Sequence, residues 1–207
     1  SRKVKILVLT SSTGGGHNMR ANSLKAWTET PVGRAANLDV SIHLTLENTH
    51  NLYRFGVGLY NFIQMRCPVA HHLYFNYLEK IPHFDHGRMI HNKERFQEVV
   101  CGEEPDIVLS THAHLNHGFF ELARESMPGR PPQTVTCCGE LHWGYGFSKR
   151  WVNPQADLFV GAQSVLVSSS ESIMIIVLHS CVGSAILVFC IVNNNINYAS
   201  LCAIFII

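Results

Sequence analysis

Val4-Lys5-Ile6-Leu7-Val8-Leu9-Thr10 runs directly into Ser11-Ser12-Thr13-Gly14-Gly15-Gly16-His17, and a helix-like segment over 18–28 follows. The leucine- and valine-rich run predicts a buried parallel strand. Strand, glycine loop and helix, in that order, are how an open α/β sheet offers backbone N–H groups to a phosphate. Glycine lets the backbone approach closely, and the helix start adds the positive end of its dipole. Gly14, Gly15 and Gly16 are therefore candidates to face a diphosphate. The loop lacks both the dinucleotide spacing and the Lys-Ser/Thr of a phosphate loop, and it ends in an imidazole. His17 can act there as a general base near neutral pH, or hydrogen-bond a substrate without moving a proton. The plain alternative is a tight turn whose histidine packs on the sheet.

Working outward, Leu38–Leu44 alternates apolar and polar residues as a second strand would. Residues 105–111 read as a third strand, 133–138 as a fourth and 157–160 as a short fifth. Helical spacing marks 89–100 and 117–124, and the aromatic-rich stretch 51–79 predicts two helices broken at Pro68. Strands alternating with helices argue for an α/β fold with a mostly parallel sheet and flanking helices. His17, His112 and Glu140 then lie just beyond the C-terminal ends of different strands, the edge along which open parallel sheets bind ligands.

The bulk numbers narrow the class. A chain of 207 residues is enough for one well-cored domain, and a net charge of +1 gives no general attraction to nucleic acid. Seven cysteines without regular spacing do not form a secreted disulfide framework, so a reduced, intracellular setting is expected. The chain starts at Ser1 and is expected to be a piece of a longer product. Composition breaks near Gln163: beyond it Glu171 is the one charged side chain, and 173–192 is long and apolar enough to span a bilayer. Residues 1–163 are thus expected to be the domain. The hydrophobic tail 164–207 stays open among a membrane segment, a buried hairpin and a continuation foreign to the domain.

Three further clusters carry chemistry. Thr111-His112-Ala113-His114-Leu115-Asn116-His117 is similar to the metal-binding segment of metallo-β-lactamase-type hydrolases, and His112, His114 and His117 could gather zinc. Asn116 stands where that pattern needs aspartate, with His142 as a candidate further ligand, and the plain alternative is loop histidines that hold no ligand. The aromatics between Tyr53 and Tyr77, mixed with Arg54, Arg66 and His71-His72, suit either a membrane headgroup zone or a helix pair packed on the sheet. In Gly139-Glu140-Leu141-His142-Trp143 a carboxylate can orient a histidine, accept a proton or make a surface salt bridge.

Together these pieces resemble one family, the N-terminal domain of monogalactosyldiacylglycerol synthases and related diacylglycerol glucosyltransferases. The resemblance starts at Thr13-Gly14-Gly15-Gly16-His17 and continues through Leu59-Tyr60-Asn61-Phe62, Cys67-Pro68 and His71-His72-Leu73. It goes on to Pro105–His112 with His117, and to the stretch from Trp151 to Val160. It spans about residues 3–163. Two positions depart from the family pattern: Asn18 replaces an arginine, and Gly139-Glu140 replaces Thr-Asp. The resemblance implies the Rossmann-like N-terminal half of a GT-B glycosyltransferase, a peripheral membrane enzyme without cofactor or metal. It implies inverting transfer of galactose or glucose from UDP-galactose or UDP-glucose to diacylglycerol at a membrane surface. His17 or Glu140 would remove the hydroxyl proton, while His112, His117 and Trp151 would line the acceptor cleft. It also implies that this chain is inactive alone, because the donor-binding half is missing from it.

Overall fold

The computed structural model describes residues 2–139 and 148–161, together with short strand segments between 167 and 206. Five strands, β1 (Val4–Thr10), β2 (Leu38–Leu44), β3 (Ile107–Ser110), β4 (Gln133–Cys137) and β5 (Leu158–Val160), form one sheet in the order β2-β1-β3-β4-β5. Every pairing in it is parallel, with Ile6 opposite both Val40 and Ile107. Among the described residues seven α-helices accompany these strands: α1 (Gly16–Thr28), α2 (Pro31–Ala35), α3 (Thr45–Thr49), α4 (Asn51–Arg66), α5 (Pro68–Lys80), α6 (Lys93–Glu103) and α7 (Gly118–Ser126). This is a Rossmann-like α/β arrangement. From β1 the chain moves outward to β2, then returns to place β3 on the other side of β1. The sheet therefore has its switch point between β1 and β3, where the outgoing loops diverge and leave a crevice.

The continuous apolar run of β1 follows from burial on both faces. Ile6 and Val8 point to one side, where Val40, Leu109 and Val135 meet Ala21 and Leu24 of α1. Leu7 and Leu9 point to the other, against Phe96 and Val100 of α6 and Phe119 and Leu122 of α7. Each such side chain contributes roughly 1.5–3 kcal/mol on leaving water. At the opposite end of the sheet from the crevice, Asp106 takes the Lys5 N–H at 2.9 Å and pairs with Arg2 and Arg130.

The α4–α5 pair is built differently. It breaks at Pro68, which takes the first helical position of α5 where a missing N–H costs nothing. Helix α4 buries only Tyr53 and Val57, and α5 has no fully buried residue. The hairpin thus leans over the C-terminal edge of the sheet without packing flat on it. Helix α6 starts at Lys93, later than the 89–100 spacing predicts, because Gly87–Met89 forms its own 3-10 turn and Asn92 adopts a φ of 55°.

In the tail, β6 (Val167–Ser169) pairs with β7 (Ser172–Met174). In a separate sheet β9 (Ser184–Cys190) lies between β8 (Val177–Cys181) and β10 (Cys202–Ile206), all antiparallel. Among the described residues no helix is long and apolar enough to cross a membrane. Glu140, His142 and the boundary at Gln163 lie outside the described residues.

Candidate functional site

The loop after β1 reverses through Gly14 and Gly15, at φ 65° and 76°, a region that side chains with a Cβ rarely enter. The turn lets α1 start at Gly16, with no side chain capping its first turn and no acidic residue in it. Three elements pin the loop from outside. Glu47 of α3 accepts the Ser12 N–H at 2.7 Å and the Ser12 hydroxyl at 2.5 Å. Asn61 of α4 accepts the Gly14 N–H at 2.9 Å and donates to the Ser12 carbonyl at 3.0 Å. The Thr13 hydroxyl meets His112 Nε2 at 2.8 Å. Gly14 therefore spends its N–H on the protein, which takes it out of the set of glycines expected to face a diphosphate. Asn18, where the resembling family has arginine, accepts the Thr10 hydroxyl at 3.0 Å and ties α1 to β1.

His17 faces Thr111 across the switch point. Its Nδ1 lies 2.6 Å from the Thr111 carbonyl oxygen. A carbonyl can only accept, so Nδ1 carries the proton and Nε2 keeps its lone pair in the neutral ring. Burial first, then the nearby Arg20 guanidinium, push the His17 pKa down to about 4, and the Thr111 bond only partly opposes them. His112 has the opposite tautomer. Its Nδ1 accepts the His114 N–H at 3.2 Å, so its Nε2 proton goes to the Thr13 hydroxyl. The His17 and His112 rings sit 4.4 Å apart, and Trp151, 1% exposed, lies 6.2 Å from His17. Burial, followed by His17 and His114, holds His112 well below the ordinary imidazole range. This edge of the sheet therefore carries neutral imidazoles at pH 7.

A partly open cavity of about 750 Å³ lies between the α4–α5 pair and this edge. Leu46, Val57, Leu59 and Phe75 are among its apolar walls, and His17, Thr13 and His112 form a polar end. Tyr53, His83 and His91 make a second polar patch on its wall, where the Tyr53 hydroxyl meets His83 Nε2 and accepts the His91 N–H, both at 2.7 Å. Arg150, 3% exposed, fixes the end of α5: it donates to the carbonyls of Leu78, Glu79 and Ile81 and to Asp85 Oδ1 at 3.1 Å. A guanidinium placed there also complements the negative end of the helix dipole.

The structure brings His17, His112, Trp151 and the glycine loop to one place. His117 sits behind them and donates from Nε2 to the Arg150 carbonyl at 3.2 Å. His114, buried beside Arg150, is pushed down to about 3, burial being the larger cause and Arg150 the next. His112 uses both ring nitrogens within the protein and His117 one. Among the described residues no group of three or more His, Cys, Asp or Glu is placed to hold a metal ion.

Several participants carried no readable sequence signal. Glu47 and Arg150 bind backbone atoms of distant segments, which no local spacing encodes, and Thr111, visible as the start of the histidine cluster, gave no sign that its carbonyl would receive the His17 ring. Asn61 lies within a stretch singled out by the family resemblance, yet its partner could be found only in three dimensions. No family model, curated protein or solved structure matches this chain.

Proposed function

We propose that residues 1–163 form the acceptor-binding domain of an inverting glycosyltransferase that moves galactose or glucose from a UDP-sugar to diacylglycerol. The observation that carries this reading is the apolar cavity of about 750 Å³ with His17 at its polar end. Apolar walls suit acyl chain, and the imidazole lies where the glycerol hydroxyl would enter. Pockets of this size and lining hold lipid-like and drug-sized molecules.

In the proposed step the glycerol 3-hydroxyl oxygen attacks the anomeric carbon as the bond to the diphosphate oxygen breaks. The bond's electron pair leaves with UDP, and the hydroxyl proton passes to His17 Nε2. A pKa of about 4 makes the isolated imidazole a weak base. An arriving diphosphate adds negative charge nearby and raises that pKa toward the useful range. Gly15, Gly16 and the uncapped start of α1 would face that charge. Glu140 is the second candidate for the base.

Membrane attachment is proposed through the outer face of the hairpin. Val69, Leu73 and Tyr77 repeat every fourth residue on α5 and are 76%, 70% and 61% exposed, with Phe62 and Met65 of α4 beside them in sequence. Arg54, Arg66 and Lys80 supply cations on the same two helices. Such a surface lies in a headgroup layer without crossing the bilayer.

The test is binding of dioctanoylglycerol followed by Trp151 fluorescence and His17 ring resonances, with transfer of labelled sugar from UDP-galactose or UDP-glucose as second readout. Saturable binding that perturbs both residues supports the acceptor reading. No lipid binding, together with one equivalent of zinc that is lost in His114→Ala, would replace it with the metal-dependent hydrolase built on His112, His114 and His117.

A further inference from the structure

Helix α4 has two roles. Leu52, Phe55, Leu59 and Tyr60 on it line the cavity, while Asn61, the next residue, holds the glycine loop. The Asn61 amide makes a two-point clamp: Oδ1 receives the Gly14 N–H at 2.9 Å, and Nδ2 donates to the Ser12 carbonyl at 3.0 Å. Both backbone groups lie within five residues of His17. Gly14 and Gly15 occupy the left-handed region, so the backbone between clamp and imidazole has a wide choice of other conformations. No side chain caps α1 from within the loop. The glycines therefore depend on outside partners for a fixed position, and one of these partners, Asn61, is carried by the helix whose other side chains line the cavity.

We propose that Asn61 is a positioning residue that fixes the glycine loop leading into His17, so that the ring meets the Thr111 carbonyl in one tautomer, and that it transmits filling of the apolar cavity to His17 through α4. A ligand wedged between α4 and the sheet shifts the helix that carries the clamp, and the loop follows because both of its contacts are to main chain. The other anchors differ in kind. Glu47 comes from α3, and Thr13 is held by His112, which is itself fixed to β3 by Ser110. Of these three anchors, Asn61 is the one carried by a helix with little buried surface of its own. The proposal rests on the acceptor reading for the identity of the cavity ligand, but not for the clamp itself.

The experiment compares the full chain with Asn61→Ala and the near-isosteric Asn61→Asp by NMR, before and after addition of dioctanoylglycerol. In the unliganded protein, Asn61→Ala is expected to lower protection of the Gly14 amide at least tenfold. It should also turn His17 from one ring tautomer into a mixture visible in its nitrogen shifts. Asn61→Asp keeps the acceptor for Gly14, loses the donor to Ser12, and should fall between the two. Protection at Val108, in the middle of the sheet, should be unchanged in both. Dioctanoylglycerol should shift the Gly14 amide in the wild-type chain, and this response should vanish in Asn61→Ala while affinity changes less than about threefold. An unaltered His17 tautomer in both variants overturns the proposal. So does parallel loss of protection at Gly14 and Val108 in both, which marks a structural residue only. If the lipid shifts no cavity residue of the wild-type chain, the acceptor reading and the transmission fail together, while the unliganded comparison still decides whether Asn61 seats His17.

Discussion

Thr111 holds His17 at both ends: its carbonyl receives the ring Nδ1 proton at 2.6 Å, and its hydroxyl reaches the His17 backbone carbonyl at 3.2 Å. The two residues are 94 positions apart, His17 in the first turn of α1 and Thr111 just after β3, on the two sides of the switch point of the sheet. The contact fixes which ring nitrogen is free. It also makes the lone pair left on His17 Nε2 a product of the β1–β3 pairing and not of the glycine loop alone.

His17→Ala is expected to lower sugar transfer by roughly 10²–10⁴-fold, the usual contribution of a positioned general base. Dioctanoylglycerol affinity should stay within about threefold, since the cavity walls remain. Transfer assays with labelled UDP-galactose or UDP-glucose, beside fluorescence titrations, check this. Retained turnover would move the base to Glu140.

Acid should destabilise the fold through this site. His17 and His114 have folded pKa values of about 4 and about 3, below the ordinary 6.5, and His112 is lowered in the same direction. Between pH 6.5 and those values the unfolded chain binds more protons, so stability is full above 6.5 and is lost as pH falls. His17 alone contributes on the order of 2–3 kcal/mol across that window. Urea unfolding from pH 7.5 to 4.5 should show falling midpoints, and His17→Gln should flatten the slope. A flat profile in the wild-type chain would contradict neutral, buried imidazoles.

Thr13→Val keeps volume but strips the acceptor from His112 Nε2–H. A buried donor left unpaired costs about 1–3 kcal/mol, so the urea midpoint should drop correspondingly. Thr13→Ser should retain most of the stability. If valine is neutral, the bond at 2.8 Å contributes nothing to the fold.

Arg150→Met removes the cation that closes α5 and leaves Glu79 without its nearest guanidinium, 3.7 Å away. Breaking a buried pair by removing one partner costs about 3–5 kcal/mol. Amide exchange at Leu78, Glu79 and Ile81 should accelerate more than exchange in β1. Uniform acceleration would argue against a local lock.

Charge on the exposed hairpin should weaken membrane binding. Leu73→Glu combined with Phe62→Glu is expected to reduce flotation with phosphatidylglycerol vesicles at least tenfold, with unchanged thermal unfolding because both positions are exposed. Undiminished flotation would place any membrane contact elsewhere.

Much of this fold was readable in the sequence because its signals are local. The β1 run, the alternation in Leu38–Leu44 and the break at Pro68 each depend on neighbours in the chain, and all appear where they were expected. The ends are less legible: α1 begins at Gly16 because two glycines take positive φ, and α6 begins late because a 3-10 turn and Asn92 intervene. In the candidate site, residue types were visible and roles were not. His112 and His114 read as metal ligands by spacing, yet the folded chain gives His112 two protein partners and buries His114 beside a cation.

By itself the sequence determined the strand–loop–helix start, the α/β alternation and the presence of histidines after β1 and β3, because hydrophobic period and turn chemistry act over a few residues. Only the tertiary structure decided the tautomers of His17 and His112, the loss of the Gly14 N–H to Asn61, and the cavity under α4 and α5. Those depend on hydrogen bonds and gaps between segments far apart in the chain, where geometry over a few tenths of an ångström decides which atom is paired and which is free.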